Sequence, residues 1–389
     1  MSDNKNLKPG WKVWRFDQMA TNVNVRIDNP SESGMEHYIG LEHLDADSLK
    51  IRRWGTPDDV EATKLMFKKG DIIFGRRRAY QRKLGVAEFD GICSAHAMVL
   101  RAKPEVVLPE FLPFFMQSNL FMKRAVEISV GSLSPTINWK TMAIQEFALP
   151  PKDEQSRIVD MLFAFEEMIE SLQDAHKACD LLYRSLIEES YSVSSNEDEV
   201  TLAKLAGINP EQISSKESDE DRVIRYIDIG TISRPKVIGE ISQMNLREAS
   251  SRARRKVRDG DLIISTVRPN LKSFARITSA QADCIVSTGF AVIRANQGVS
   301  PSFLFHAFFS SRFDSFCTSK NEGTSYPAIK ASDLAKFVLP RLSLENQLDL
   351  GSRLDQLECT SLSLETRFKG ARNLATSRRD SLMEAGNVV

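Results

Sequence analysis

No run of about 18 apolar residues occurs anywhere in this 389-residue sequence, which excludes a membrane-spanning helix. The opening MSDNKNLKPGWKVW lacks the apolar centre of a secretory leader, so the expected location is cytoplasmic. Cysteine is scarce: Cys93, Cys179, Cys284, Cys317 and Cys359 are scattered, odd in number and free of CxxC spacing. That pattern excludes a disulfide framework and a zinc site, and reads as reduced thiols serving as small apolar side chains. Catalytic signatures are missing as well. There is no GxxxxGK(S/T) phosphate loop, no HExxH, no GxSxG, and no Asp/Asn-Pro-Pro-aromatic tetrapeptide that an amino-methyltransferase needs to hold its base. The five histidines, His37, His43, His96, His176 and His306, show no ligand spacing. Pro57-Asp58-Asp59 with Glu61 and Lys64 has the residue types of a nuclease cluster at the wrong spacing, and reads as a solvated turn. Every segment can be assigned without an active site, cofactor or metal.

What is present is an ordinary globular composition, 42% hydrophobic and 27% charged, in a chain long enough for two or three domains. Net charge is zero, but unevenly distributed. Residues 1–152 carry 22 basic and 18 acidic groups, 153–191 carry 3 and 10, 192–343 carry 21 and 17, and 344–389 carry 6 and 7. Two mildly basic blocks are thus separated by an acidic stretch. The basic residues cluster as Arg76-Arg77-Arg78 with Arg82 and Lys83, and as Arg252, Arg254, Arg255, Lys256 and Arg258, a distribution suited to phosphates.

The chain is written twice. Lys69-Gly70-Asp71-Ile72-Ile73-Phe74 returns as Asp259-Gly260-Asp261-Leu262-Ile263-Ile264, and Cys93 to Ala102 returns as Val286 to Ala295. Phe111-Leu112 and Leu120-Phe121 match Phe303-Leu304 and Arg312-Phe313. Gly131-Ser132-Leu133-Ser134-Pro135-Thr136-Ile137 pairs with Gly323-Thr324-Ser325-Tyr326-Pro327-Ala328-Ile329. Each block closes on Leu-Pro, at Leu149-Pro150 and Leu339-Pro340, followed by Asp153-Glu154-Gln155 or Glu345-Asn346-Gln347. Tyr38-Ile39-Gly40-Leu41 and Tyr226-Ile227-Asp228-Ile229 extend the match backwards.

After each closing motif the apolar period changes to alternating steps of four and three. Ile158, Leu162, Phe165, Ile169, Leu172, His176, Cys179, Tyr183 and Leu186 form one seam; Leu350, Leu354, Leu357, Ser361, Leu364, Phe368, Ala371, Ala375, Arg378 and Leu382 form the other. Each predicts a long helix of roughly 55 Å, with acidic residues in its first turn. His176 on the seam serves either packing and register or a pH response. A helix with one apolar seam needs one partner, and the other helix supplies it. The expected architecture is two mixed α/β blocks in pseudo-repeat, residues 1–152 and 192–343, joined by helices 153–191 and 344–389 in an antiparallel coiled coil.

The basic clusters permit two readings. Arg76, Arg77 and Arg78, with Tyr80, Arg82 and Lys83, leave a strand on a loop that can reach phosphates and guanine edges; the alternative is a solvated charge run. Arg254, Arg255, Lys256, Arg268 and Lys272 gather around the corresponding second strand, and that recurrence favours DNA. Ser132, Ser134 and Thr136 in the first glycine loop, and Thr324, Ser325 and Tyr326 in its mate, could donate to DNA or simply begin a helix.

Two diverged blocks carrying Tyr-Ile openings, a Gly-Asp strand, Gly-Ser-x-Ser-Pro-Thr-Ile and Leu-Pro-Pro-x-x-Glu-Gln before a long helix resemble the specificity (HsdS) subunit of type I restriction-modification systems. The resemblance runs over essentially the whole chain. It implies that each block is a target recognition domain reading half of a bipartite double-stranded DNA site, with the helices as the spacer. It implies two modification subunits that bind S-adenosylmethionine, and restriction subunits using ATP and Mg, with no catalysis in this chain. The outer helix faces, including Glu166, Glu170, Asp174, Glu358 and Glu365, are expected to dock the modification subunits. Two rivals are a single-chain methyltransferase or nuclease with unfamiliar motifs, and a repeat-built interaction scaffold without a DNA role.

Overall fold

The structure is a computed structural model that describes residues 7–192, 198–213, 221–233, 236–237, 241–320 and 328–386. It divides into two compact units, residues 1–172 with 366–389, and residues 173–365. The long helices cover Lys152–Tyr191 and Leu344–Glu384, so each unit takes the start of one and the end of the other. This differs from the sequence division, in which each helix simply followed its own block.

In the first unit a four-stranded antiparallel sheet runs Ala20–Val23, Met98–Ala102, Ile72–Phe74, Leu84–Val86. A second runs Arg26–Ile27, Lys64–Phe67, Gly91–Ser94, Tyr38–Ile39, the last pair parallel. A short ribbon joins Lys12–Arg15 to Glu146–Leu149. Strand periodicity explains why the central strand is apolar throughout. Ile72 and Phe74 face one core with Phe16, Phe111, Phe115, Phe121 and Phe147, while Ile73 faces another with Ile39, Phe67 and Cys93.

The second unit repeats this plan. Ala206–Ile208, Phe290–Ala295, Leu262–Ser265 and Phe274–Arg276 form the sheet equivalent to the first. The strands Ala253–Lys256, Ile285–Ser287 and Val223–Ile227 reproduce the second sheet, its parallel pair included, with Ser242–Asn245 on the far edge. Leu262 and Ile264 again face one core and Ile263 the other. The motif residues have matching tasks. Gly70 and Gly260 sit at φ +88° and +82°, in the region that favours glycine. Asp71 and Asp261, each 1% exposed, receive two hydrogen bonds from Arg101 (2.7 and 2.8 Å) and Arg294 (2.8 and 2.7 Å). They also accept from the backbone N–H of Lys68 and Arg258, each at 2.8 Å.

The glutamine of each closing motif is buried. Gln155 accepts from Leu108 N at 2.9 Å and donates to Pro150 O at 2.9 Å; Gln347 accepts from Ser300 N at 3.1 Å and donates to Leu342 O at 2.9 Å. Each seals the entrance of its helix to its block.

The helix ends are equally specific. In the first unit Asp380 accepts from Asn119 N and Nδ2 at 3.0 and 2.7 Å, and Met383 enters the phenylalanine core. In the second, Glu188 accepts from Ser311 N at 2.9 Å and from its hydroxyl, while Ile187 and Tyr191 enter the core. Both carboxylates therefore cap a short helix, Asn119–Glu127 or Ser311–Ser319. The seam is as expected except at its close: Arg378 is exposed and Arg379 is buried, bonded to Gln117 Oε1 at 3.2 Å. The reason is that the final turns pack into a block instead of along a partner helix. His176 stands 3.1 Å from the Ser361 hydroxyl, which donates to Asp180 at 2.6 Å, a register contact within the seam. No helix among the described residues is long and apolar enough to cross a membrane.

Removing the buried Asp261 carboxylate takes two bonds from Arg294, leaving it Glu211, and unpairs the Arg258 N–H from its side-chain acceptor. Asp261→Ala is expected to cost about 3 kcal/mol, read as a shift in denaturant unfolding of the second unit.

The second unit also contains a fully buried histidine. His306 Nδ1 lies 2.9 Å from the Tyr183 hydroxyl and Nε2 lies 2.8 Å from Asp355, which also receives Arg276 at 2.5 Å and Ser302 at 2.6 Å. Burial pushes the His306 pKa below its usual value despite the Asp355 contact that raises it. Burial alone would raise the Asp355 carboxyl, but its bonds to His306, Arg276 and Ser302 outweigh it and hold it well below the carboxylate range. The unfolded chain therefore protonates His306 at higher pH than the folded one, and stability falls as pH drops through the ordinary histidine range. His306→Gln should flatten that slope between pH 7 and 5 in denaturation curves; an unchanged slope would remove His306 as its source.

Candidate nucleic-acid interface

The strand Ile72–Phe74 delivers the chain into an unusual turn. Arg78 (φ +58°) and Arg82 (φ +53°), both left-handed, flank one 3-10 turn at Ala79–Gln81. The second unit builds the same turn: Arg268 (φ +49°) and Lys272 (φ +52°) flank Pro269–Leu271. A left-handed conformation disfavours side-chain-bearing residues, so something must hold the turn. Arg82 donates to the Gln117 carbonyl at 2.5 Å, to Asn119 Oδ1 at 3.2 Å and to Asp47 at 2.6 Å. Lys272 donates to the Phe308 carbonyl at 2.9 Å, pairs with Asp314 and lies 5.2 Å from the Phe313 ring centroid. In both copies a cation satisfies carbonyls at the end of a helix, Phe111–Gln117 or Pro301–Ala307. Arg82 and Lys272, expected among the DNA contacts, thus serve as anchors of the turn. Lys83 is similarly engaged, donating to Leu41 O at 2.6 Å.

Arg77 and Arg78 share one surface with the glycine loop. Arg77 and Arg78 each donate to Ser134 Oγ at 3.2 Å, and Arg77 Nη1 stands 3.3 Å from His96 Nε2. Main-chain bonds run from Arg78 N to Pro135 O (2.7 Å) and from Ile137 N to Arg76 O (3.0 Å), with Arg77 bridging Thr136. The second unit has the same stitch, Ile329 N to Thr266 O at 2.9 Å and a Val267–Ala328 bridge. Thus two segments separated by some 50 residues form one surface, containing Arg77, Arg78, Ser132, Ser134, Thr136 and exposed Tyr80. Arg76 instead turns toward Ala95 O, at 2.9 Å. His96 joins this surface. Partial burial, then the Arg77, Arg76 and Lys64 charges, lower its pKa, so it remains neutral amid positive charge. Nothing in the sequence singled it out, except that the copies differ there: His96 aligns with Gly289.

Arg254, Arg255 and Lys256 occupy another place. They form the strand Ala253–Lys256, whose counterpart is Lys64–Phe67, not the arginine turn. The expectation that the two clusters are equivalent is thus corrected: what recurs is Arg78 with Arg268, and Arg82 with Lys272. Arg254 donates to Ser251 O at 3.1 Å; Arg255 is half-buried, with one terminal nitrogen unsatisfied, and desolvation lowers its pKa. Thr324, Ser325 and Tyr326 lie outside the described residues.

On the helices, Glu170 pairs with Lys50 at 2.5 Å and approaches Arg52 at 3.8 Å. Glu166 is half-buried, and burial followed by the Glu170 charge raises its pKa. Asp174 is exposed beside Lys177 at 3.1 Å, Glu358 lies 3.9 Å from Arg276, and Glu365 has an interaction of its own. The sequence seam overlooked the outward Leu181 and Leu182, which are 70% and 56% exposed. His306, Asp355 and Glu358 offer three metal-ligand atoms within 4.8 Å of one another, but Arg276 already brings a cationic group to both carboxylates.

Each of the two blocks builds the same anchored cationic turn, a feature suited to a polyanion. The family model for the type I restriction modification DNA specificity domain matches residues 31–178. The chain is 28% identical over 214 residues to the type I restriction enzyme EcoDI specificity subunit of Escherichia coli, covering 54% of this chain and 46% of that one. It is 24% identical over 166 residues to the HindI specificity subunit of Haemophilus influenzae, covering 41% and 36%. These matches span less than half the length of the curated relatives. Among solved structures, the type I restriction-modification S subunit from M. genitalium aligns with a TM-score of 0.61 at 16% identity, covering 100% of this chain and 98% of that one. The HsdS subunit from Thermoanaerobacter tengcongensis aligns at 0.50 and 21%, covering 99% of each. Residues 31–178 thus match the type I restriction modification DNA specificity domain, and the whole chain shares the fold of the solved S subunits.

Arg77→Ala and Arg78→Ala should each weaken DNA binding across sequences and lower the salt slope by about one. Lys272→Ala should instead destabilise the second unit by about 2 kcal/mol. Anisotropy titrations at several salt concentrations and denaturant unfolding separate these effects.

Proposed function

We propose that this chain is the DNA sequence-recognition subunit of a type I restriction-modification complex. Each block reads one half of a bipartite site in double-stranded DNA. The observation carrying this reading is the anchored cationic turn, built twice on the same scaffold in a chain whose first block matches the DNA specificity domain. Main-chain bonds fix the turn to the glycine loop, so guanidinium groups and hydroxyls are presented together, as contacts to phosphates and base edges require.

The 40- and 41-residue helices set the gap between half-sites and carry the docking surface for two modification subunits. Asp174 and the exposed Leu181 and Leu182 are the helix residues best placed for that contact. S-adenosylmethionine chemistry then belongs to those partners, and ATP- and Mg-dependent cleavage to restriction subunits, with this chain non-catalytic and working on DNA in the cytoplasm. A scaffold without a DNA role leaves the two cationic turns unused. A single-chain methyltransferase or nuclease leaves the building of the same cationic turn twice in one chain unexplained.

The test is a methylation map of DNA from cells that express the chain with a modification subunit, against cells lacking only this chain. Methylation at a bipartite motif should vanish with the chain. Deleting one heptad from each long helix should change the gap and leave both half-sites intact. Unaltered methylation without the chain would sink the recognition role, and an unaltered gap would sink the spacer role.

A further inference from the structure

The glycine loop of the first unit is closed on itself. Val130 N donates to Thr136 O at 3.1 Å and Thr136 N to Val130 O at 2.9 Å, enclosing five residues, with Gly131 at φ +116°. From inside, the loop is pinned by Arg78 N on Pro135 O and by two guanidinium groups on Ser134. Ser132 and Leu133 form its outer end, and Leu133 is 90% exposed, with Val130 beside the closure at 73%.

Single exposed leucines are common on protein surfaces and ordinarily need no explanation. This one stands on a ring fixed by hydrogen bonds, next to the arginines that would meet the sugar-phosphate backbone. An apolar side chain held rigidly at such a place can enter between base pairs and partly unstack them. We propose that Leu133 is a wedge that enters one base step of the first half-site while Arg77 and Arg78 hold adjacent phosphates. The inference rests on the DNA-recognition reading and adds a shape-dependent element to it, because the energy of opening a step depends on its sequence. The aligned position in the second loop is Ser325, so the distortion is confined to one half-site.

The experiment uses the full chain and duplexes bearing the mapped motif, with 2-aminopurine placed in turn along both half-sites. Emission should rise at one step of the first half-site only. Leu133→Ala should abolish the rise and weaken motif binding about tenfold, leaving affinity for unrelated duplex and the salt slope unchanged. Leu133→Met should restore the signal, and as a surface position neither variant disturbs the core. Motif binding without any emission change in the wild type, or with the change intact in Leu133→Ala, overturns the wedge alone. Absence of motif-specific binding by the wild type overturns the recognition reading, and the wedge with it.

Discussion

A carboxylate removed from water must be held by donors, and in each unit one such carboxylate sets the geometry from which the rest follows. Asp71 and Asp261 stand at the head of the central strand, where each ties a tight glycine turn to the neighbouring strand through a two-pronged arginine bond. That fixes strand register at one end. The other end of the same strand runs straight into the cationic turn. A one-residue slip would exchange the faces of Ile72, Ile73 and Phe74 between two cores, and would also displace Arg77 and Arg78. This pair, a buried carboxylate with a partly exposed arginine, is therefore better understood as specifying register than as a large net source of stability, since desolvation of the carboxylate offsets much of the attraction.

The same economy governs the helices. The start of each is locked by a buried glutamine to the block it leaves, and its end is received by the unit containing the other block. Asp380 and Glu188 perform that second task with the same chemistry, a carboxylate accepting the free N–H of a short helix. Each unit thus requires segments from both ends of the repeat. A half chain would leave Phe16, Phe115 and Phe121 without Met383, or Phe303 without Tyr191, and would expose the apolar faces they cover.

Much of this was legible in the sequence because repeats amplify weak signals. Gly-Asp before an apolar triplet is ordinary once and informative twice, since the glycine conformation and the aspartate bond are both obligatory. The seam was legible for the same reason that heptads generally are. What was not legible is chemistry that depends on distance. Arg82 and Lys272 looked like members of a basic cluster, yet each is directed to a helix end, and no spacing rule distinguishes a cation that caps carbonyls from one that faces solvent. Arg379 was hidden similarly: at the end of a helix, the core of a block can replace the partner helix without altering the period. The run Arg254-Arg255-Lys256 misled because proximity in sequence to a matching strand was taken for equivalence in the fold, whereas pairing places it in the other sheet.

Where the copies diverge is as informative as where they agree. Scaffold positions repeat in kind: glycine with glycine, aspartate with aspartate, glutamine with glutamine, a cation with a cation at the turn anchor. Positions of the first unit's surface do not: exposed His96 aligns with the buried Gly289, exposed Tyr80 with Asn270, and exposed Leu133 aligns in sequence with Ser325. Selection for folding alone would leave surface positions to drift toward interchangeable polar residues, but these exchanges alter size, hydrogen-bonding capacity and apolar character at the one surface the anchors hold rigid. A duplicated reader that must distinguish two unlike half-sites needs this division, an invariant frame and two dissimilar faces. Divergence at these presented positions, on a frame that keeps its glycine, aspartate, glutamine and anchoring cation, is thus a physical argument for recognition that the basic charge by itself could not supply.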